Sequence, residues 1–265
     1  MNGANLEREN QIFDAWEEFT KREGQIELGI EKVNIVRFFT YQRMCLKRPF
    51  KVKESSEIYL DDKYRSVIEE IKASLLRGDG VEMYLSKQAR KLRPDKMFLD
   101  FGILHLHLNK KIGDKVVDLG KAEDKTLQAY YSHGIVYLFN FGHHGFGAYT
   151  DPKIMQKLYD RFPNSLNDRV LNGNFKNEKI TANERDQYHR SNLNTLIQVK
   201  DKDGQTINLA PYLMISTNGE SGKDFALLDL IKNELQKKTI ACFFRVLDKL
   251  RSMAPWMMIH LLLKT

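Results

Sequence analysis

The pentapeptide Leu104-His105-Leu106-His107-Leu108 constrains the fold more than any other stretch of the chain. Strict apolar–polar alternation has the two-residue period of a strand, whereas in a helix Leu106 would face away from Leu104 and Leu108. In a strand the three leucines point into a core and both histidines point the other way, with Cβ atoms about 7 Å apart. That spacing suits two ligands of one metal ion, or two groups that share a proton transfer near neutral pH.

The neighbouring sequence extends the pattern. Residues 97–109, 115–119, 126–131 and 134–141 read as successive strands punctuated by Gly113, Gly120 and the turn at 132–134. Strands so close in sequence pair as antiparallel neighbours. Helical periodicity marks 5–22 and 60–77, the latter capped by Asp61 or Asp62 and ended by Gly78. Residues 26–41, rich in β-branched and aromatic side chains, read as strand, and basic 42–57 around Pro49 reads as a linker. Pro152 opens a helix over 151–161. An Asn-rich connection over 163–192 holds a helix near 181–190, and Asp203-Gly204 turns a hairpin between 195–200 and 205–209. Helices follow at 222–238 and 240–253. The fold expected is α+β, an antiparallel meander packed by flanking helices, in three segments, 1–57, 58–162 and 163–265.

His143 and His144 follow the strand 134–141 within Gly142-His143-His144-Gly145-Phe146-Gly147, where glycines let a ligand approach the backbone. If that strand and 104–108 share a sheet, four of the seven histidines meet at one end. Two chemistries fit. A metal site would use two or three imidazoles and a carboxylate, with an open position for water. Metal-free RNA cleavage needs a base, an acid and cations for the developing phosphorane charge.

Charge favours the second. Lys and Arg total 42 against 35 Asp and Glu, a net charge of +7, and Lys87, Arg90, Lys91, Arg93, Lys110 and Lys111 bracket the histidine strand. Such clusters grip phosphates. The Asp and Glu residues are not interleaved with the histidines, so neither metal nor cofactor is expected. Asp100 is the carboxylate nearest the strand if a metal is used after all.

Other motifs carry less. The loop 216–223 ends Gly222-Lys223-Asp224 and lacks the phosphate-loop Gly-Lys-Ser/Thr. Cys45 and Cys242 have no evident base beside them and cannot form a disulfide framework. Trp16, Phe38 and Phe39 read as core, and 256–259 as a packing or partner-binding tail. There is no apolar run of membrane-spanning length, and residues 1–18 lack the order of a secretory signal. The compartment expected is the cytoplasm.

From Leu104 to Tyr159 the order strand, strand, strand, His-bearing turn, helix resembles the small bacterial ribonuclease toxins of the RelE and HigB type, in the barnase-like superfamily. Those proteins often carry a Tyr-Arg pair in the middle strand, where this chain has Ala129-Tyr130-Tyr131. The stretch 100–108 is also similar to a strand motif in uncharacterised bacterial proteins, which implies no activity. The resemblance to the toxins implies RNA cleavage, a toxin or defence role and a protein inhibitor as partner. The leading expectation is thus a metal-independent ribonuclease using His105, His107, His143 and His144. A non-catalytic nucleic-acid-binding protein and a His-ligated metal-dependent hydrolase are the alternatives.

Overall fold

A computed structural model describes residues 3–144, 148–173, 175 and 180–236. Helices α1 (Gly3–Leu28) and α2 (Ile35–Cys45) lead into strand β1 (Lys51–Glu54), helix α3 (Arg65–Arg77) and short helices α4 (Lys87–Arg90) and α5 (Lys96–Phe101). Strands β2 (Ile103–His107), β3 (Asn109–Ile112), β4 (Lys115–Asp118), β5 (Lys125–Ser132) and β6 (Ile135–His143) follow. The rest comprises α6 (Lys153–Arg161), α7 (Ala182–Arg190), the hairpin β7 (Ile197–Lys200) and β8 (Thr206–Leu209), and α8 (Gly222–Gln236). The fold is α+β. Its main sheet runs β1-β6-β5-β2, with β2, β5 and β6 antiparallel as the spacing predicts.

That sheet is covered on both faces. Leu104, Leu106, Leu127, Ala129, Val136 and Leu138 line one face against Phe38 and Cys45 of α2 and Val67, Ile68 and Ile71 of α3. Ile103, Tyr130, Tyr137 and Phe139 line the other against Ile154, Met155 and Leu158 of α6 and Val199 and Leu209 of the β7–β8 hairpin. A third core joins Phe13 and Trp16 of α1, Ile35, Val36 and Phe39 of α2, and Leu227 and Ile231 of α8. All three alternating leucines are fully buried; each contributes roughly 1.5–3 kcal/mol relative to exposure.

Four expectations are corrected. Residues 35–45 are helical, not strand: Asn34 caps the start by accepting from the Arg37 amide at 3.0 Å. The helix lies between two cores, with Phe38, Tyr41 and Met44 in one and Ile35, Val36 and Phe39 in the other, so it carries no one-sided apolar stripe. The expected linker 42–57 contains β1, which pairs in parallel with β6. Its alternating Lys51-Val52-Lys53-Glu54 has one apolar residue and suits a sheet edge that must not recruit other strands. Residues 97–101 are the helix α5, capped by Asp95 and ended by Gly102 at φ +75°; all five are buried, which hides the period. Finally, β3 and β4 form a separate hairpin outside the main sheet. The expected helix 240–253, Cys242 and the tail 256–259 lie outside the described residues. Among the described residues no helix is long and apolar enough to cross a membrane.

Candidate active site

Ile103, His105 and His107 stand in one row on the second face of the sheet. Ile103 is buried in the core around α6, while His105 and His107 emerge where that cover ends. His107 lies opposite Thr126 of β5, which lies opposite Gly142 of β6. At Gly142 the Gln128 side chain packs where a Cβ would stand, 2.4 Å from that position. Two residues on, His144 joins the other two imidazoles. Ring centroids are 6.1 Å apart for His105 and His107, 6.0 Å for His105 and His144, and 5.1 Å for His107 and His144. One nitrogen from each ring lies within 4.8 Å of those from the other two.

Each ring is backed by a carboxylate on its Nδ1 side. Asp118, at the end of β4, places Oδ2 2.9 Å from His107 Nδ1, and its Oδ1 accepts from the Gly120 amide at 3.0 Å. Asp124 places Oδ1 2.6 Å from His144 Nδ1, and its Oδ2 accepts from the His144 amide at 3.0 Å. Asp95 caps α5 by accepting from the Phe98 amide at 3.0 Å, and its Oδ2 is 3.3 Å from His105 Nδ1. That last contact is at ion-pair distance but misses hydrogen-bond geometry, so His105 Nδ1 is buried without a hydrogen bond. Three carboxylates, each itself held by a backbone amide, thus set the orientation of three imidazoles.

The electrostatics follow from burial. Desolvation holds the His105 imidazole below its ordinary value, with Asp95 opposing and the neighbouring imidazoles reinforcing the shift, so this ring is neutral at neutral pH. Because the folded chain takes up the His105 proton at lower pH than the unfolded chain, the unfolded state binds more protons between the two values. Stability falls as pH drops through that window below about 6.5. Denaturant melts with EDTA present should show the wild type losing more stability between neutral and mildly acidic pH than His105→Gln; equal losses would refute the assignment. Tyr149, whose ring centroid is 5.2 Å from that of His105, is pushed up to about 12, first by burial and then by Asp95 and Asp124. Its hydroxyl therefore remains a neutral donor.

The three imidazoles line a cleft of about 950 Å³ that also takes in Lys87, Arg93, Lys96, Lys121 and Tyr149. Lys87, Arg93 and Lys121 make no ion pair with the described residues. Of the six basic residues singled out by sequence, Lys87 and Arg93 reach the cleft. Arg90 turns away to the Glu82 carbonyl at 3.0 Å, Lys110 donates to Ser66 Oγ at 2.8 Å, and Lys91 and Lys111 are exposed elsewhere.

The fourfold histidine convergence is corrected to threefold. His143 is exposed, with Nδ1 2.8 Å from the His144 carbonyl, and it lines a second groove with Asn140, Asp151 and Lys157. Asp100 is not a site carboxylate either. It is 1% exposed and accepts from Arg185 at 2.9 Å, with its Oδ2 2.7 Å from His189 Nε2. Sequence reading missed Asp95, Asp118, Asp124, Tyr149 and Lys121; a signal for Asp95 was present, an Asp after a proline ahead of an apolar run, which is a helix-cap pattern. Scans against family models, curated proteins and solved structures find no match to the chain.

Proposed function

We propose that the chain is a nuclease that cuts single-stranded nucleic acid, RNA foremost, at the centre formed by His105, His107 and His144. One observation carries the reading: the imidazoles sit in a cleft whose walls bear Lys87, Arg93, Lys96 and Lys121. Phosphodiester cleavage needs groups that take and give protons, or activate a nucleophile, beside cations that hold the phosphate and offset charge in the transition state. His105, neutral at neutral pH, is suited to accept a proton or a Lewis acid. Tyr149 offers a neutral hydroxyl to a phosphate oxygen. The cleft, of about 950 Å³, has room for a flexible strand.

The preference for RNA rests on the likeness to the ribonuclease toxins, with one difference in the source of cations. Where the toxins often carry Arg, Tyr130 is fully buried and Tyr131 packs on Phe50, so neither reaches the centre. The cations come instead from the α4–α5 segment and the β4–β5 turn.

Binding should be governed by counterion release. Three phosphate contacts on a single strand, from Lys87, Arg93 and Lys121, give a slope of about −2 in a plot of log affinity against log salt. Double charge reversal, Arg93→Glu with Lys121→Glu, should weaken binding and flatten that slope by about 1.4, whereas Lys111→Glu should leave it nearly unchanged. Fluorescence anisotropy with a labelled oligonucleotide checks this. A salt-independent affinity, or no binding at low salt, would remove the reading. A chain that binds but does not cut, with or without added metal, would instead be a nucleic-acid-binding protein.

A further inference from the structure

We infer that His105, His107 and His144 together hold one divalent transition-metal ion, with zinc the ion the donor set fits best. The inference concerns the same imidazoles as the nuclease reading, and rests on that reading only for what the ion does once bound.

Carboxylates occupy the Nδ1 side of all three rings, which leaves Nε2 as the nitrogen each ring offers. A ligating imidazole characteristically directs its other nitrogen at a carboxylate, which fixes the tautomer, aims the ring and raises its basicity. Here that arrangement occurs three times, with donors from a strand (His105, His107) and the residue just past another (His144). Three imidazoles with an open fourth position form a donor set of catalytic zinc.

Distance points the same way. Zinc–nitrogen bonds of about 2.0–2.1 Å in a tetrahedral site put ligand nitrogens about 3.3 Å apart. One nitrogen of each ring already lies within 4.8 Å of one from each of the other two, so modest ring rotations would close the set. A metal-free base and acid would instead serve opposite apical oxygens of a phosphorane, with the phosphorus between them, and two imidazoles suffice. Nothing in that scheme accounts for a third ring backed in the same way. His105 adds a separate sign. Its Nδ1 is buried without a hydrogen bond, 3.3 Å from Asp95, and an ion on Nε2 would fix a proton on Nδ1 for that carboxylate.

The cleft leaves room for water or a phosphate oxygen at the open position, and the Tyr149 ring lies 5.2 Å from that of His105. Bound there, zinc would polarise a phosphate oxygen or lower the pKa of a water. Asp95, Asp118 and Asp124 are positioning residues, since they act on the ion through the imidazoles.

The test is metal titration of the whole chain after dialysis against EDTA. Cobalt(II) should give the visible bands of a tetrahedral site, saturating at one ion per chain, and zinc should displace it. His107→Ala and His144→Ala should each weaken zinc by more than about 100-fold, and Asp118→Asn by about 10–100-fold, the usual effect of losing a carboxylate behind a ligand. His143→Ala should bind as the wild type does. Zinc should raise the melting temperature of the wild type and not that of His107→Ala, whose unliganded melting temperature shows whether it folds. Wild-type binding no tighter than that of the double variant His107→Ala with His144→Ala would overturn the inference. RNA cleavage that continues in excess EDTA, without stoichiometric metal, would overturn it and leave the nuclease reading standing. One tightly held ion with no cleavage of RNA or DNA would keep the metal site and remove the nuclease.

Discussion

His107→Ala should lower RNA cleavage by about 10²–10⁴-fold, the usual contribution of a positioned proton carrier; loss of a metal ligand would cost at least as much. The fold should survive. His107 is on the cleft face, and the leucines on either side of it, Leu106 and Leu108, are fully buried on the opposite face. The substitution removes one pair, with Asp118 at 2.9 Å, whose carboxylate is only partly buried and keeps its bond to the Gly120 amide. The variant should therefore melt near the wild type while its kcat/KM collapses. His143→Ala, one residue from a centre member but turned into another groove, should stay within about twofold of wild type. A His107→Ala enzyme within threefold of wild type would show that the reaction occurs elsewhere.

The largest effect on stability should come from Asp100→Ala. Asp100, Arg185 and His189 are each no more than 2% exposed, and the carboxylate is the partner of both the guanidinium and the imidazole. Truncation strands the Arg185 charge in the interior, which costs about 3–5 kcal/mol. For a chain of this size that is a fall of roughly 6–20 °C in melting temperature. Replacing both partners, Asp100→Leu with Arg185→Met, should cost less than Asp100→Ala, because no unpaired charge remains. Chemical denaturation measures both. A loss below about 1 kcal/mol for Asp100→Ala, or a double variant worse than the single, would contradict this account. The network also ties α7 to α5, where Lys96 donates to the His189 carbonyl and Asp95 backs His105, so loosening it should reach the cleft.

The difference between these two aspartates shows what was legible in the sequence. The alternation at 104–108 was legible because a strand half facing a core writes its period into the residues, and the structure places each leucine and histidine accordingly. The hairpin at Asp203-Gly204 was legible through local turn chemistry: Asp201 Oδ1 accepts from the Asp203 and Gln205 amides, and Gly204 takes φ +78°. Helices α2 and α5 were not, since burial on all sides removes the polar stripe that identifies a helix. The carboxylates behind the imidazoles were hidden for another reason. Asp118 is 11 residues from His107 and Asp124 is 20 from His144. Only the β3–β4 hairpin and the left-handed turn at Asp124 (φ 55°) carry them back. Asp100, five residues before His105 along the chain, looked nearer and is committed to the core.

The most direct test of the central claim is cleavage of end-labelled single-stranded RNA by the purified chain, with zinc supplied, beside the double variant His107→Ala with His144→Ala. The account predicts discrete cleavage products from the wild type, no products above background from the variant, and closely similar melting temperatures for the two when both are metal-free. Intact RNA with the wild type across the divalent metals, or equal cleavage by both proteins, would contradict it.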